Sequence, residues 1–574
     1  MRRESVRNGA IVIGTLVLAV ACRAPGVRAQ ERVVDTLHNL SVSGPGETRA
    51  ESEEQVCVFC HAPHNTSGAV PLWNREFAVG NYRIYESSTF DAPPGQPTGA
   101  SKLCLSCHDG TIALGQVLSQ PDRIRMAGGD FMPAGLSNLG TDLSDDHPVS
   151  FHYTGGLSAS DAQLKSPTAL PAEVKLDRSG QLQCTACHDA HHNLYRKFLT
   201  LSDEFGQLCT ACHDMTGWSS GAHRASGEPV SGVSAGSWPF GTVAENACRS
   251  CHRTHTAGGR ERLLIFEKEE DNCLCCHDGS VARFNISAEL DKPGGPDPRR
   301  YTGVHDPTET LAGSQPHVEC VDCHNPHAAS ARVDQDNVAI GATMVGVPGI
   351  TSGGGTRLQA QFEYEVCYRC HGDAPVPVSR RISRLADQPN LRLKFNPINP
   401  SFHPVVAAAV GTDTVSLDPA IPTGTLIRCT DCHNNDTGPR AGGSGPDGPH
   451  GSIYDFLLER NYTVHDDTPE SAYDYALCYK CHLQASILNN ESFPEHSRHI
   501  QDQDAPCSAC HDAHGISLAT GSISNHTHLI NFDTTIVRPL LPSGRIAFRD
   551  LGRFAGNCTL SCHGRDHDEQ KYGY

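Results

Sequence analysis

The sequence predicts an irregular, loop-rich fold with short α-helices and minor β-structure, organised around something other than a conventional hydrophobic core. Three observations point there. Hydrophobic residues make up 38% of the 574 positions and aromatics 6%, which is thin for a chain long enough for about two to five domains. Gly (54) and Pro (37) together fill about a sixth of the chain, above the usual share yet short of low-complexity disorder. Finally, 24 of the 26 cysteines fall into one repeated motif, two cysteines followed at once by histidine.

Eleven copies have the regular form Cys-x-x-Cys-His. They are Cys57, Cys60 and His61; Cys104, Cys107 and His108; Cys184, Cys187 and His188; Cys209, Cys212 and His213; Cys248, Cys251 and His252; Cys273, Cys276 and His277; Cys320, Cys323 and His324; Cys367, Cys370 and His371; Cys429, Cys432 and His433; Cys478, Cys481 and His482; Cys507, Cys510 and His511. A twelfth, Cys558, Cys562 and His563, has three intervening residues. Cys-x-x-Cys-His is the attachment motif of haem c: each sulfur adds to a porphyrin vinyl group and the histidine sits under the iron. Zinc sites and disulfides also use paired cysteines, but neither requires a histidine after every pair. Twelve covalently attached haems would supply the missing apolar area, with the chain wrapped around them. Cys22 and Cys275 remain outside the motifs, and Cys275 is expected to be a bystander thiol.

The motifs fall into six doublets, with starting cysteines 47, 25, 25, 47, 49 and 51 residues apart. In five doublets the first motif extends to Cys-His-x-x-His, adding His64, His191, His255, His327 and His514, whereas Asp436 holds that position in the fifth. Such regularity implies one supersecondary unit used repeatedly. The expected divisions are a signal peptide over 1–29, then doublets over 30–165, 166–222, 223–300, 301–385, 386–485 and 486–574.

Arg2, Arg3 and Arg7, the apolar run Ala10–Ala21 and Val27-Arg28-Ala29 read as an export signal cleaved after Ala29, with acylation of Cys22 as the alternative. The apolar run is short for a membrane span. The formal charge is −19 and becomes more negative once the arginine-rich start is removed. A surface this acidic excludes nucleic acid as a partner and suits cationic or metal-bearing ones.

Ser101-Lys-Leu-Cys104-Leu-Ser-Cys107-His108-Asp-Gly, Asp145-Asp-His147-Pro-Val-Ser-Phe, Cys320-Val-Asp-Cys323-His324-Asn-Pro-His327, and the stretch from His528-Leu-Ile-Asn-Phe-Asp to Cys562-His563-Gly are similar to segments of the exported multihaem c-type cytochromes with doubled CXXCH motifs. The resemblance implies a multihaem cytochrome c fold with close-packed haem pairs, bis-histidine iron and electron transfer in the periplasm, at the outer-membrane surface or outside the cell. Its partners would be other cytochromes or an outer-membrane conduit, and beyond them a metal oxide or another cell. Two alternatives accompany this reading: a redox enzyme of the nitrite, hydroxylamine or sulfur-compound type with one open haem, and a self-assembling subunit of a conducting filament.

Each low-spin iron needs a second axial ligand. The segment after residue 29 has only Met126, Met132, Met215 and Met344, so histidine must serve, and all-histidine ligation points to comparatively low potentials. One histidine precedes each doublet: His38, His147, His223, His305 or His317, His403, and His496 or His499. The Cys-His-x-x-His partners bring five more, and His450 or His465 replaces the one missing at Asp436. Histidines three apart on a helical turn point in different directions, so His188 is expected to serve its own haem while His191 reaches another. His152, His192, His526, His528 and His567 are expected to lie outside the ligand set.

Short helices are expected before the motifs, as in Glu363–Cys367 and Ala472–Cys478, and small strands or hairpin arms at Val149–Tyr153, Leu391–Phe395 and Ile536–Leu540, the last an edge because of Pro539. Gly438–Pro449 reads as a mobile or inserted loop.

Overall fold

The computed structural model describes residues 31–64, 72–93, 95–230, 238–303, 305–306, 317–330, 339–373, 381–408, 414–522 and 524–572. The export signal and Cys22 lie outside them. Among the described residues no helix is long and apolar enough to cross a membrane.

The chain is loop-rich, and its regular elements are short because the motifs set their lengths. The two longest helices, Gly99–His108 and Glu363–His371, each end on the histidine of a second motif. In nine other motifs a single turn suffices: the histidine N–H donates to the carbonyl of the first cysteine, as in His61 to Cys57 (2.8 Å) and His188 to Cys184 (2.9 Å). One turn of backbone thereby brings two sulfurs and an imidazole to one side.

Two-residue strand pairs stitch distant segments together. Glu31–Arg32 pairs with His192–Asn193 and Ser401–Phe402 with Gly515–Ile516, both antiparallel, so neighbouring doublets interleave. The largest sheet is C-terminal, three antiparallel strands over Ala547–Gly552, Ala555–Cys562 and Arg565–Tyr572.

Among the described residues the apolar core is divided into small local clusters rather than one continuous mass. One groups Val58, Phe59, Leu114, Val117, Ile124 and Met126 with Cys60 and Cys107, and another groups Phe532, Val537, Phe548 and Leu560 with Cys510, Cys558 and Cys562. Attachment cysteines thus sit at the edges of the apolar clusters.

Three local expectations need correction. Leu391–Lys394 is a helical turn, not a strand: the Asn390 side chain accepts from Leu393 N–H (3.3 Å), and that cap outweighs the alternation of Leu391, Leu393 and Phe395. Ala472–Cys478 forms turns rather than a helix, because the Ser471 hydroxyl takes the Asp474 N–H (3.1 Å) in a local side-chain turn. Ile536–Leu540 makes only isolated bridges, Arg538 to Ser561 and Leu540 to Arg545. Val149–Tyr153 does contain a strand, Phe151–His152. The Gly438–Pro449 segment folds back on itself through Gly443 N–H to Gly438 O (3.0 Å) and Gly445 N–H to Thr437 O (2.7 Å).

Candidate haem-binding sites

The first motif of a doublet is held by a recurring frame. The chain returns beside it, and the amides of Asn74, Thr200, Ile265, Glu459 and Asn531 donate to the carbonyls of Cys60, Cys187, Cys251, Cys432 and Cys510, at 2.8–3.0 Å. Just before the last four of those residues the backbone is left-handed at Lys197, Arg262, Phe456 and His528 (φ 56° to 61°). Non-glycine residues enter this region at a cost of about 1 kcal/mol or more. The strain aims a carbonyl: His188, His252, His433 and His511 donate Nδ1–H to the oxygens of those four residues at 2.8–2.9 Å. His324 does the same to Thr343 O (2.9 Å) and His108 to Ser137 O (2.7 Å). A carbonyl can only accept, so Nδ1 carries the proton and Nε2 keeps its lone pair, the tautomer of a metal-ligating histidine.

Ten motif histidines face a second imidazole at ring separations of 6.0–6.5 Å: His61 with His191, His108 with His38, His188 with His255, His213 with His147, His252 with His327, His277 with His223, His324 with His450, His433 with His514, His482 with His403, and His511 with His496. Two imidazoles on opposite faces of one iron stand roughly 6 Å apart, since each metal–nitrogen bond is about 2 Å and the ring centre lies about 1 Å behind its nitrogen. Four of the second rings are also tied at Nδ1. His38 donates to Ala190 O (3.1 Å), His223 to Pro326 O (2.9 Å), His255 to Asp146 (2.9 Å), and His403 to Ala513 O. Burial drives His188, His213, His277, His327, His450, His482 and His511 down to about 4, and His496 and His514 to about 3. The rings are thus held neutral, as a ligand must be.

Each Cys-His-x-x-His histidine except His64 faces the first motif of the preceding doublet. In the fifth doublet Asp436 instead pairs with Lys292 (2.8 Å), and His450, not His465, faces His324. His450 reaches that place through two glycines. Gly448 lies against its ring at φ +109°, and a Cβ on Gly451 would meet Glu289 O at 1.9 Å. Among the described residues no imidazole faces His64 or His371. His305 donates Nδ1–H to Glu319 (2.5 Å) and His317 stacks on Tyr301 (3.8 Å). The twelfth motif differs throughout: Cys558 and Cys562 lie along a strand, and His563 Nε2 bonds to Asp466 (2.9 Å).

The thiols run in series. Cys104 lies within electrostatic reach of Cys184, Cys209 of Cys248, Cys273 of Cys320, Cys367 of Cys429 and Cys478 of Cys507. Within doublets the second cysteines also lie within electrostatic reach of one another: Cys60 and Cys107, Cys187 and Cys212, Cys251 and Cys276, Cys323 and Cys370, Cys432 and Cys481, and Cys510 with Cys558 and Cys562. Burial pushes Cys60, Cys187, Cys251, Cys323, Cys432 and Cys510 up to about 12. Among the described residues no cysteine forms a disulfide, and the one metal-spaced group is Asp466, Asp467 and His563. Two unbridged thiols and an imidazole on one side of each regular motif make the donor set that haem c takes up. The eleven regular motifs therefore fit haem c.

Sequence reasoning missed the left-handed turns and their carbonyls. Their trace in the sequence is an aliphatic or aromatic pair after each motif: Phe198-Leu199, Leu263-Leu264, Leu457-Leu458 and Leu529-Ile530.

The family model for the doubled CXXCH motif matches residues 178–217 and 241–282. A multiheme cytochrome MtrA from Shewanella baltica is 24% identical over 210 residues, covering 34% of this chain and 44% of that protein. The chain thus spans less than half the length of this curated relative. These matches and the motif series support a multihaem c-type cytochrome with doubled CXXCH motifs.

Proposed function

From a multihaem c-type cytochrome with its attachment cysteines in series, we propose an exported electron carrier with twelve haems c in sequence order, most held between two histidines. When bound, haem c supplies reversible one-electron chemistry at its iron. The chain's residues do the rest. Cysteines of consecutive motifs lie within electrostatic reach alternately through their first and second members, which supports attachment points that follow one another in sequence order. Histidines lent between doublets would hold the haem together with the motif histidines and would keep small molecules off it. The observation that carries the reading is the ten facing imidazole pairs at 6.0–6.5 Å. Ring pairs closed on both faces favour a conduit over a catalyst. The donors and acceptors proposed are other cytochromes or an outer-membrane conduit, with a metal oxide or another cell beyond.

One observation favours the second reading, a redox enzyme with an open haem: the site at His371, whose partner would be His305 or His317. Carbon monoxide tests both. The fully reduced holoprotein, with twelve haems by intact mass, is expected to bind none. Stoichiometric binding at one haem, abolished with the His371 site, would overturn the pure carrier.

A further inference from the structure

We infer that the axial pair at the twelfth attachment motif is His499 and His567, and that His563, the histidine following the second cysteine, is not a ligand there. The inference rests on the haem reading above and concerns residues that the motif pattern does not select.

Backbone conformation separates this motif from the other eleven. Each of those grips its two cysteines in a helix or a single turn, which carries the next histidine to the same side. Cys558 and Cys562 instead lie four residues apart on the strand Ala555–Cys562, a span of about 13 Å when extended. His563 lies past the strand end whichever thiol is attached. His563 occupies the hairpin turn at φ +48°, beside Gly564 at φ +72°. Its Nε2, the nitrogen a ligand needs, is held by both carboxylate oxygens of Asp466, at 2.9 and 3.1 Å.

The hairpin presents another imidazole in its place. Cys558, Leu560 and Cys562 alternate onto one face of the strand, packed on Cys510, Phe532, Val537 and Phe548. Across the ladder His567 stands directly opposite Leu560. Residues directly opposite in an antiparallel pair share a face, so His567 rises between the two cysteines. It faces His499 at a ring separation of 6.3 Å with the planes 28° apart, within the 6.0–6.5 Å range of the ten other pairs. His499 is also prepared as they are: Nδ1 donates to Glu495 O (2.8 Å), leaving Nε2 unprotonated.

The geometry also explains why two histidines precede the sixth doublet. His496 faces His511 and His499 faces His567, with Phe493 against both rings at 5.0 and 6.0 Å and against Tyr572 of the last strand at 4.5 Å. One π-turn over Arg498–Asp502 thus lets neighbouring histidines serve neighbouring sites.

The test uses the full-length holoprotein, with covalent haem counted by intact and peptide mass and spin state read by electron paramagnetic resonance. His567→Ala and His499→Ala are each expected to keep the full haem mass and to turn one haem in twelve high-spin. The double variant should add no second high-spin haem, and free imidazole should restore the low-spin form. His563→Ala should leave every retained haem low-spin. A high-spin haem from His563→Ala, with His567→Ala silent, overturns the assignment. A wild-type peptide spanning Cys558–Cys562 that carries no haem overturns both the twelfth attachment and this assignment, and leaves the other eleven standing.

Discussion

The His252–His327 and His324–His450 pairs belong to the first motifs of consecutive doublets, and they reach ring separations of 6.2 and 6.0 Å, with nearly parallel planes in both cases, by different routes. His327 comes from a Cys-His-x-x-His turn, three residues after a motif histidine. His450 comes from the far end of a Gly- and Pro-rich segment, because Asp436 stands at the turn position and is held by Lys292. The difference teaches that the fold fixes where the second ring sits, not where in the sequence it originates. The turn histidine is placed by its own short turn, in which the Asn325 side chain accepts from His327 N–H (3.0 Å). A loop histidine needs an anchor, and the anchor here is an ion pair joining Asp436 and Glu289 through one lysine.

If that contrast is right, the largest effects fall on the rings themselves. His327→Ala and His450→Ala should each make one haem high-spin while His465→Ala changes nothing, as read by visible and paramagnetic resonance spectra. A silent His450→Ala would end the comparison. An intermediate effect is expected at the anchor. Lys292→Met leaves the Asp436 carboxylate, 6% exposed, buried without its cation, a loss of about 3 kcal/mol in denaturant unfolding. Adding Asp436→Asn should recover part of it, whereas no lysine of this kind supports His327. The smallest effect belongs to the turn carbonyls. Lys197 sits at φ +59°, so Lys197→Val should cost about 1 kcal/mol in thermal unfolding and Lys197→Gly much less.

The cysteines and motif histidines were legible because their spacing is itself the chemistry. His191, His255, His327 and His514 were legible from their fixed spacing after the motif histidine, but the helical turn expected there does not form: the segments are non-helical turns, in which the side chains of Asp189, Asn325 and Asp512 accept from the N–H of His191, His327 and His514 (2.9–3.1 Å). The choice of His450 over His465 was not, since it depends on a loop whose path is set by close backbone approach at Gly451. The carbonyls of Lys197, Arg262, Phe456 and His528 were hidden for a related reason: residues with side chains hold a backbone conformation that sequence assigns to glycine. Leu391–Lys394 shows a capping side chain overriding an alternating pattern. The C-terminal hairpin escaped notice because Gly556, Asn557 and Ser561 blur its alternation, while its cysteines invited the same reading as the rest.

Interleaving has a consequence for how the molecule is made. Chains emerge N-terminus first, so Cys57, Cys60 and His61 exist well before His191, which closes their site. Each early site stands half-built until the following doublet docks, and docking leaves that doublet in turn waiting for the next. Maturation would then run as a zipper with a fixed direction. A halt midway would leave its last-formed site open to solvent, a natural mark by which unfinished chains could be told from finished ones.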